Sequence, residues 1–222
     1  MMPDALIFDF DGVLLESEYE GNRHLARLLT ELGHPTTVEH ALRHFTGLSG
    51  NDFLGAVERH IGRPLPEEFH GFRKVESERA LSEGVAAVAG AIEFVRALAP
   101  DLPKAVASSS SSHWIRTHLD HLGLREDFGD HVYSGSEHVA RGKPAPDIYL
   151  HAAAQLGVPI ERCLIIEDSE VGATGALASG ARVIGLAAGR HCDDGHDQRL
   201  RGLGVQEVAH SFDEVRSLLV SG

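Results

Sequence analysis

The chain has 222 residues, of which 42% are apolar and 24% charged, and a formal net charge of −13. This is the composition of an ordinary globular protein long enough for a real core. An acidic chain with no basic stripe argues against nucleic acid as the main partner, and no apolar run approaches the roughly 20 residues of a membrane span. Two cysteines are too few for a disulfide framework; Cys163, in the apolar run "CLIIED", reads as a buried free thiol. The opening "MMPDALIF" carries no secretory signature, so a cytoplasmic location is expected; a monomer is the default expectation.

In chain order, "ALIFDF" (5–10) reads as a buried strand. A nearly all-helical stretch follows from Glu16 to about Ala86, punctuated by Gly33, Gly47, Gly50, Gly62 and Pro64. The strand-and-helix rhythm then resumes. Strands are expected at 104–108, 131–134, 163–168, 181–186 and 207–211. Helices are expected at 111–122, where Trp114, Ile115, His118, Leu119 and Leu122 recur at helical spacing, and at 146–157, 171–180 and 212–220. Apolar strands alternating with helices predict an α/β fold whose parallel sheet is covered on both faces. The expected organisation is a discontinuous core, 1–15 with 87–222, and a small α-helical insertion at 16–86. That insertion leaves just after a strand end, where α/β folds place ligands.

Four motifs carry chemistry. In "FDFDGV", Asp9 and Asp11 lie two apart at the end of an apolar strand, so both carboxylates are expected on one side. Like charges held close call for a cation or a shared proton. In "LIIEDSEVG", Glu167 and Asp168 stop another strand; Asp-Ser there is also a plain helix cap, but a parallel sheet brings these carboxylates to the same edge as Asp9 and Asp11. Converging carboxylates make a hard oxygen site suited to Mg²⁺. In "ARGKPAPD", Lys143 is one of three lysines, with Lys74 and Lys104, and prolines stiffen its surroundings. The fourth motif is the five-serine run 108–112. A linker is one reading of it. The apolar segments on both sides instead make Ser108 a strand end and Ser110 to Ser112 the caps and first turn of a helix, an anion site. Nucleophilic carboxylate, second acid, metal, lysine and phosphate cradle together suit phosphoryl transfer through an aspartyl-phosphate.

In order, "DFDGV", strand-terminal Ser108, Lys143 in "GKPAPD" and "EDSEVG" resemble the four motifs of the haloacid dehalogenase superfamily, across residues 5 to about 190. The insertion resembles the helical cap of the β-phosphoglucomutase-like branch, and "FTGLSGNDFL" (45–54) its substrate-facing loop. The resemblance implies a Rossmann-like core with a cap that opens and closes over the site. It implies Asp9 as nucleophile and Asp11 as general acid/base. It implies Mg²⁺ on Asp9, the Asp11 carbonyl and Asp168, with Glu167 direct or through water. Ser108, the Ser109 backbone and Lys143 would hold the phosphoryl group, and Thr46, Leu48, Asn51 and Lys74 are candidate cap contacts to substrate.

Departures from the family pattern narrow the activity. Dehalogenases of the superfamily lack the aspartate that Asp11 supplies. Mutases of the branch usually carry a histidine near Gly21 and an arginine near Gly50, so a phosphatase acting on a small phosphorylated metabolite, such as a sugar phosphate, is expected ahead of a sugar-phosphate mutase. The branch's common aspartate after the first motif is Glu16 here. In "HCDDGHD", His191, Cys192 and His196 are possible zinc ligands, but without a second ligand pair they read as a polar surface loop.

Overall fold

A computed structural model of the chain describes residues 2–46, 48 and 50–221, without the side chains of 50 and 221. In chain order come β1 (Ala5–Phe8), α1 (Ser17–Glu31), α2 (Val38–Phe45), α3 (Gly50–Ile61), α4 (Glu67–Glu83) and α5 (Ala91–Ala97). Then follow β2 (Lys104–Ser108), α6 (Ser112–Leu122), α7 (Arg125–Phe128), β3 (Val132–Ser134), α8 (Asp147–Leu156) and β4 (Cys163–Glu167). The chain closes with α9 (Glu170–Ser179), β5 (Arg182–Leu186), α10 (His196–Gly202), β6 (Glu207–Ala209) and α11 (Phe212–Ser221).

The strands are apolar except near their ends, because both faces of the sheet are covered. Every residue of β1 is fully buried. The six strands form one sheet in the order β3-β2-β1-β4-β5-β6, and every pairing is parallel. The chain therefore departs from β1 toward one side through β2 and toward the other through β4, which leaves a crevice at the carboxyl ends of these strands. Phe8 pairs with Val106 on one side and Ile166 on the other. This register brings residues 9, 108 and 167 to one edge.

The chain divides into two compact units. One runs to Glu16 and resumes at Ala86; the other is Ser17–Val85. The Glu16 amide donates to the Ala86 carbonyl at 2.9 Å and the Val88 amide to Leu14 at 3.1 Å, so the helical segment leaves and returns at one place. That segment has its own apolar core, with Leu25, Leu29, Phe45, Phe53, Val57 and Phe69.

Three short helices, α5, α7 and α10, stand where the sequence periodicity gave none. They span seven, four and seven residues, too short for an apolar stripe to repeat. β1 also stops two residues before the expected strand end, at Phe8.

Candidate active site

Asp9 follows β1 directly, and its amide donates to the Ile166 carbonyl at 2.9 Å. Its carboxylate is thereby fixed beside the end of β4, where Glu167 and Asp168 emerge. Lys143 reaches the same spot from the loop before α8. Its Nζ donates to Asp9 Oδ1 at 2.5 Å and to Glu167 Oε1 at 2.7 Å, and its side chain is only 4% exposed. Glu167 is saturated. Oε1 also accepts from the Tyr149 hydroxyl at 2.9 Å, and Oε2 accepts from the Ser169 amide at 2.7 Å and hydroxyl at 3.0 Å. Ser169 in turn caps α9 by accepting from the Gly172 amide. A Cβ at Gly172 would lie 1.5 Å from Glu167 Oε1, so this close approach requires glycine.

Asp11 is held separately. Its Oδ2 accepts from the Ser110 hydroxyl at 2.6 Å and the Ser108 hydroxyl at 3.3 Å, and its Oδ1 from the Trp114 indole N–H at 3.0 Å. Strand alternation does not govern Asp11, because β1 has ended and Gly12 turns the backbone at φ +88°. The two motif-one aspartates thus have different donor sets. Gly12 has a second reason to be glycine: a Cβ there would sit 2.1 Å from Asp168 Oδ2.

Asp9, Glu167 and Asp168 bring carboxylate oxygens within 4.8 Å of one another, and all three residues are buried. Burial pushes the Asp9 and Asp168 carboxyls well above the usual range. Lys143 opposes this at both, while the Glu167 charge adds to it. Burial also works against the Lys143 ammonium, but Asp9 and Glu167 outweigh it and hold that group well above its ordinary value. Asp168 Oδ1 is buried with no hydrogen-bond partner. Such an acceptor is costly unless something positive meets it. One lysine among three hard-oxygen side chains, with an orphaned carboxylate oxygen, fits a divalent cation.

Ser108 ends β2, fully buried, as the sequence placed it. Ser109 is exposed beyond it. Of the remaining serines, Ser111 and Ser112 take the cap and first-turn places expected of them, and only Ser110 departs. Ser110 lies outside the helix and faces Asp11, Ser111 is the N-cap of α6, accepting from the Trp114 amide at 3.2 Å, and only Ser112 is helical. Trp114 was a helix-face residue in the sequence reading, and no local pattern marks its indole as a donor to Asp11. Tyr149 was missed for the same reason.

The histidine-rich stretch also departs from the surface loop expected of it. His191 and His196 are both buried. His191 Nε2 lies 2.8 Å from Asp168 Oδ2, and His196 Nε2 lies 2.7 Å from the Asp168 carbonyl. Polar composition conceals this, because the polar atoms face a buried carboxylate instead of solvent.

The cap candidates all belong to the helical unit. Thr46 ends α2 and its hydroxyl accepts from Asn22 Nδ2 at 3.1 Å. Leu48 and Asn51 are exposed, and Lys74 is exposed and 3.9 Å from Glu78. Gly47 and Ser49 of the same loop lie outside the described residues.

A parallel α/β sheet with carboxylates, a lysine and a hydroxyl gathered at its switch point is an arrangement suited to phosphoryl transfer. Comparison with known proteins gives the family. The profile for haloacid dehalogenase-like hydrolases matches residues 3–180. A structure of a haloacid dehalogenase family hydrolase from Deinococcus radiodurans, with bound phosphate and sodium, is 37% identical with a TM-score of 0.85, covering 98% of this chain and 95% of that one. Hexitol phosphatase A of Escherichia coli is 30% identical, over 83% of each chain. The 6-phosphogluconate phosphatase of the same organism is 27% identical, over 85% of this chain and 84% of that one. The chain belongs to the haloacid dehalogenase-like hydrolases, and its relatives there include phosphatases.

Proposed function

We propose that this enzyme is a Mg²⁺-dependent phosphatase of a small phosphorylated metabolite, a sugar phosphate foremost, acting through an aspartyl-phosphate on Asp9. The observation that carries the reading is the buried Asp9 carboxylate, held by Lys143, with the orphaned Asp168 oxygen beside it. The hexitol and 6-phosphogluconate phosphatases among its relatives support the substrate class.

In this reading a carboxylate oxygen of Asp9 attacks phosphorus. The ester P–O bond breaks, and its electron pair leaves on the alcohol oxygen, which takes a proton from Asp11. A water then gives its proton to Asp11 and attacks the same phosphorus. The bond to Asp9 breaks, and inorganic phosphate departs. Asp9, Asp168 and the Asp11 carbonyl would hold Mg²⁺, which supplies positive charge against the nucleophile and the phosphoryl oxygens. Glu167, already accepting four hydrogen bonds, holds Lys143 in place. Lys143 opposes the burial that raises the Asp9 carboxyl and meets the incoming negative charge. Ser108 and the Ser109 amide would receive the phosphoryl oxygens, and the helical unit would act as the cap, with Thr46, Leu48, Asn51 and Lys74 as its substrate-facing candidates.

Residue 21, where mutases of the branch usually carry a histidine, is glycine here, and this favours hydrolysis over transfer. The test is turnover of a phosphate-ester panel with Mg²⁺. Release of inorganic phosphate is expected from the wild type and a loss of at least 10³-fold from Asp9→Asn, as expected when a nucleophile is removed. Undiminished turnover by that variant would overturn the mechanism. Bisphosphate-dependent interconversion of sugar phosphates with little phosphate released would overturn hydrolysis.

A further inference from the structure

One segment grips Asp168 twice. His191 Nε2 meets its Oδ2 at 2.8 Å, and His196 Nε2 meets its backbone carbonyl at 2.7 Å. Both acceptors are oxygens, so both ring nitrogens donate. For His196 the far nitrogen, Nδ1, faces Arg199 Nη2 at 3.4 Å, a donor, which fits the proton on Nε2. The segment is itself anchored. The Arg190 amide donates to both carboxylate oxygens of buried Glu16, at 3.1 and 3.2 Å, and the Cys192 amide to the Gly189 carbonyl at 3.0 Å. A Cβ at Gly189 would lie 2.5 Å from the His191 ring, so the turn admits the imidazole only because residue 189 is glycine.

We propose that His191 and His196 are positioning residues for the metal site: they fix Asp168 so that Oδ2 is occupied and Oδ1 is turned toward the cation. The inference rests on the reading of Asp168 as a Mg²⁺ ligand. It adds a function to two histidines that lie outside the four family motifs. Hydrogen bonds to a ligating carboxylate restrict its rotation, and losing such a partner typically costs ~10–100-fold in metal affinity. A zinc site on His191, Cys192 and His196 competes for the same atoms. Their ligand atoms do lie within 4.8 Å of one another. Three of the four imidazole nitrogens of interest already face other partners, however, and two of those contacts are to Asp168.

The experiment measures binding of Mg²⁺ alone to the full chain by calorimetry, beside steady-state kinetics. His191→Leu fills the volume without a donor, and His191→Gln keeps a donor at similar reach. We expect His191→Leu to weaken Mg²⁺ binding by ~10–100-fold with substrate KM at saturating Mg²⁺ unchanged, and His191→Gln to recover most of the loss. Cys192→Ser should bind Mg²⁺ as the wild type does. Asp168→Asn is the reference that should abolish binding. Wild-type Mg²⁺ affinity in His191→Leu, with binding lost in Asp168→Asn, would overturn the clamp alone. Wild-type affinity in Asp168→Asn would overturn the metal reading and the clamp with it. Tight Zn²⁺ binding lost equally in His191→Leu and Cys192→Ser would replace the clamp with a zinc site. If His191→Leu does not fold, Glu16→Ala loosens the same segment from its other side, and unchanged Mg²⁺ affinity there overturns the proposal.

Discussion

Asp11 shows how much a single side chain's role depends on its donors. Two serine hydroxyls and an indole N–H converge on its carboxylate. A hydrogen bond to a charged group contributes ~1.5–3 kcal/mol, or about 10–100-fold in rate where it aligns a reacting acid. Ser108→Ala and Ser110→Ala should each lower kcat by about that range. Ser112→Ala should leave kcat/KM unchanged, because Ser112 opens α6 and pairs with Glu137 through its amide at 2.8 Å, away from Asp11. Equal losses across the three, measured by steady-state kinetics, would refute this division of the serine run. Near the same residue, His118 lies fully buried against Trp114, neither ring nitrogen having a hydrogen-bond partner. Burial lowers its pKa to about 4, against an opposing pull from Asp11. The folded state therefore binds this proton less readily than the unfolded chain, whose histidine titrates near its ordinary value. Its contribution to stability is complete above pH ~6.5 and is lost as pH falls toward 4, on the order of 3 kcal/mol in all. Urea midpoints at pH 7 and pH 5 should differ less in His118→Phe than in the wild type.

Among the elements, the helices were legible where an apolar stripe or a cap marks them and illegible where neither does. α6 begins at Ser112 and α9 at Glu170, each behind a serine whose hydroxyl accepts from the third residue on, a local signal that needs no tertiary context. The strand ends that carry Ser108 and Glu167 were legible because apolar runs stop there. α10 was not, since its buried faces are a histidine and a single leucine. Helix α1 holds a glycine that packing does not require: a Cβ at Gly21 would meet nothing within 4 Å. Gly21→Ala should raise stability by ~1 kcal/mol, the helix-propensity difference, without lowering kcat. A rise in melting temperature with unchanged turnover checks this; a fall in turnover would mean the substrate uses that space.

At the scale of the whole molecule, two units carry two apolar cores, one around the sheet and one among the four helices of Ser17–Val85. Phe69 is fully buried in the second, stacked on Phe53 with ring centroids 6.4 Å apart. Phe69→Ala should cost ~3–5 kcal/mol locally. Hydrogen exchange should accelerate across α1 to α4, while the amides of β1, β2 and β4 keep wild-type protection. Uniform acceleration would show instead that the two cores unfold as one. Among the described residues no helix is long and apolar enough to cross a membrane. The sequence by itself determined the parallel α/β fold and the family, because strands buried on both faces read as largely apolar runs, and the motifs of Asp9, Ser108 and Glu167 stand where such runs stop, while that of Lys143 stands in the loop before α8. The tertiary structure alone decided which donor meets which oxygen. Asp11 and Trp114 are 103 positions apart, and His191 meets Asp168 only after β5 has been laid beside β4. Contacts of that kind follow from packing, which composition and periodicity do not encode.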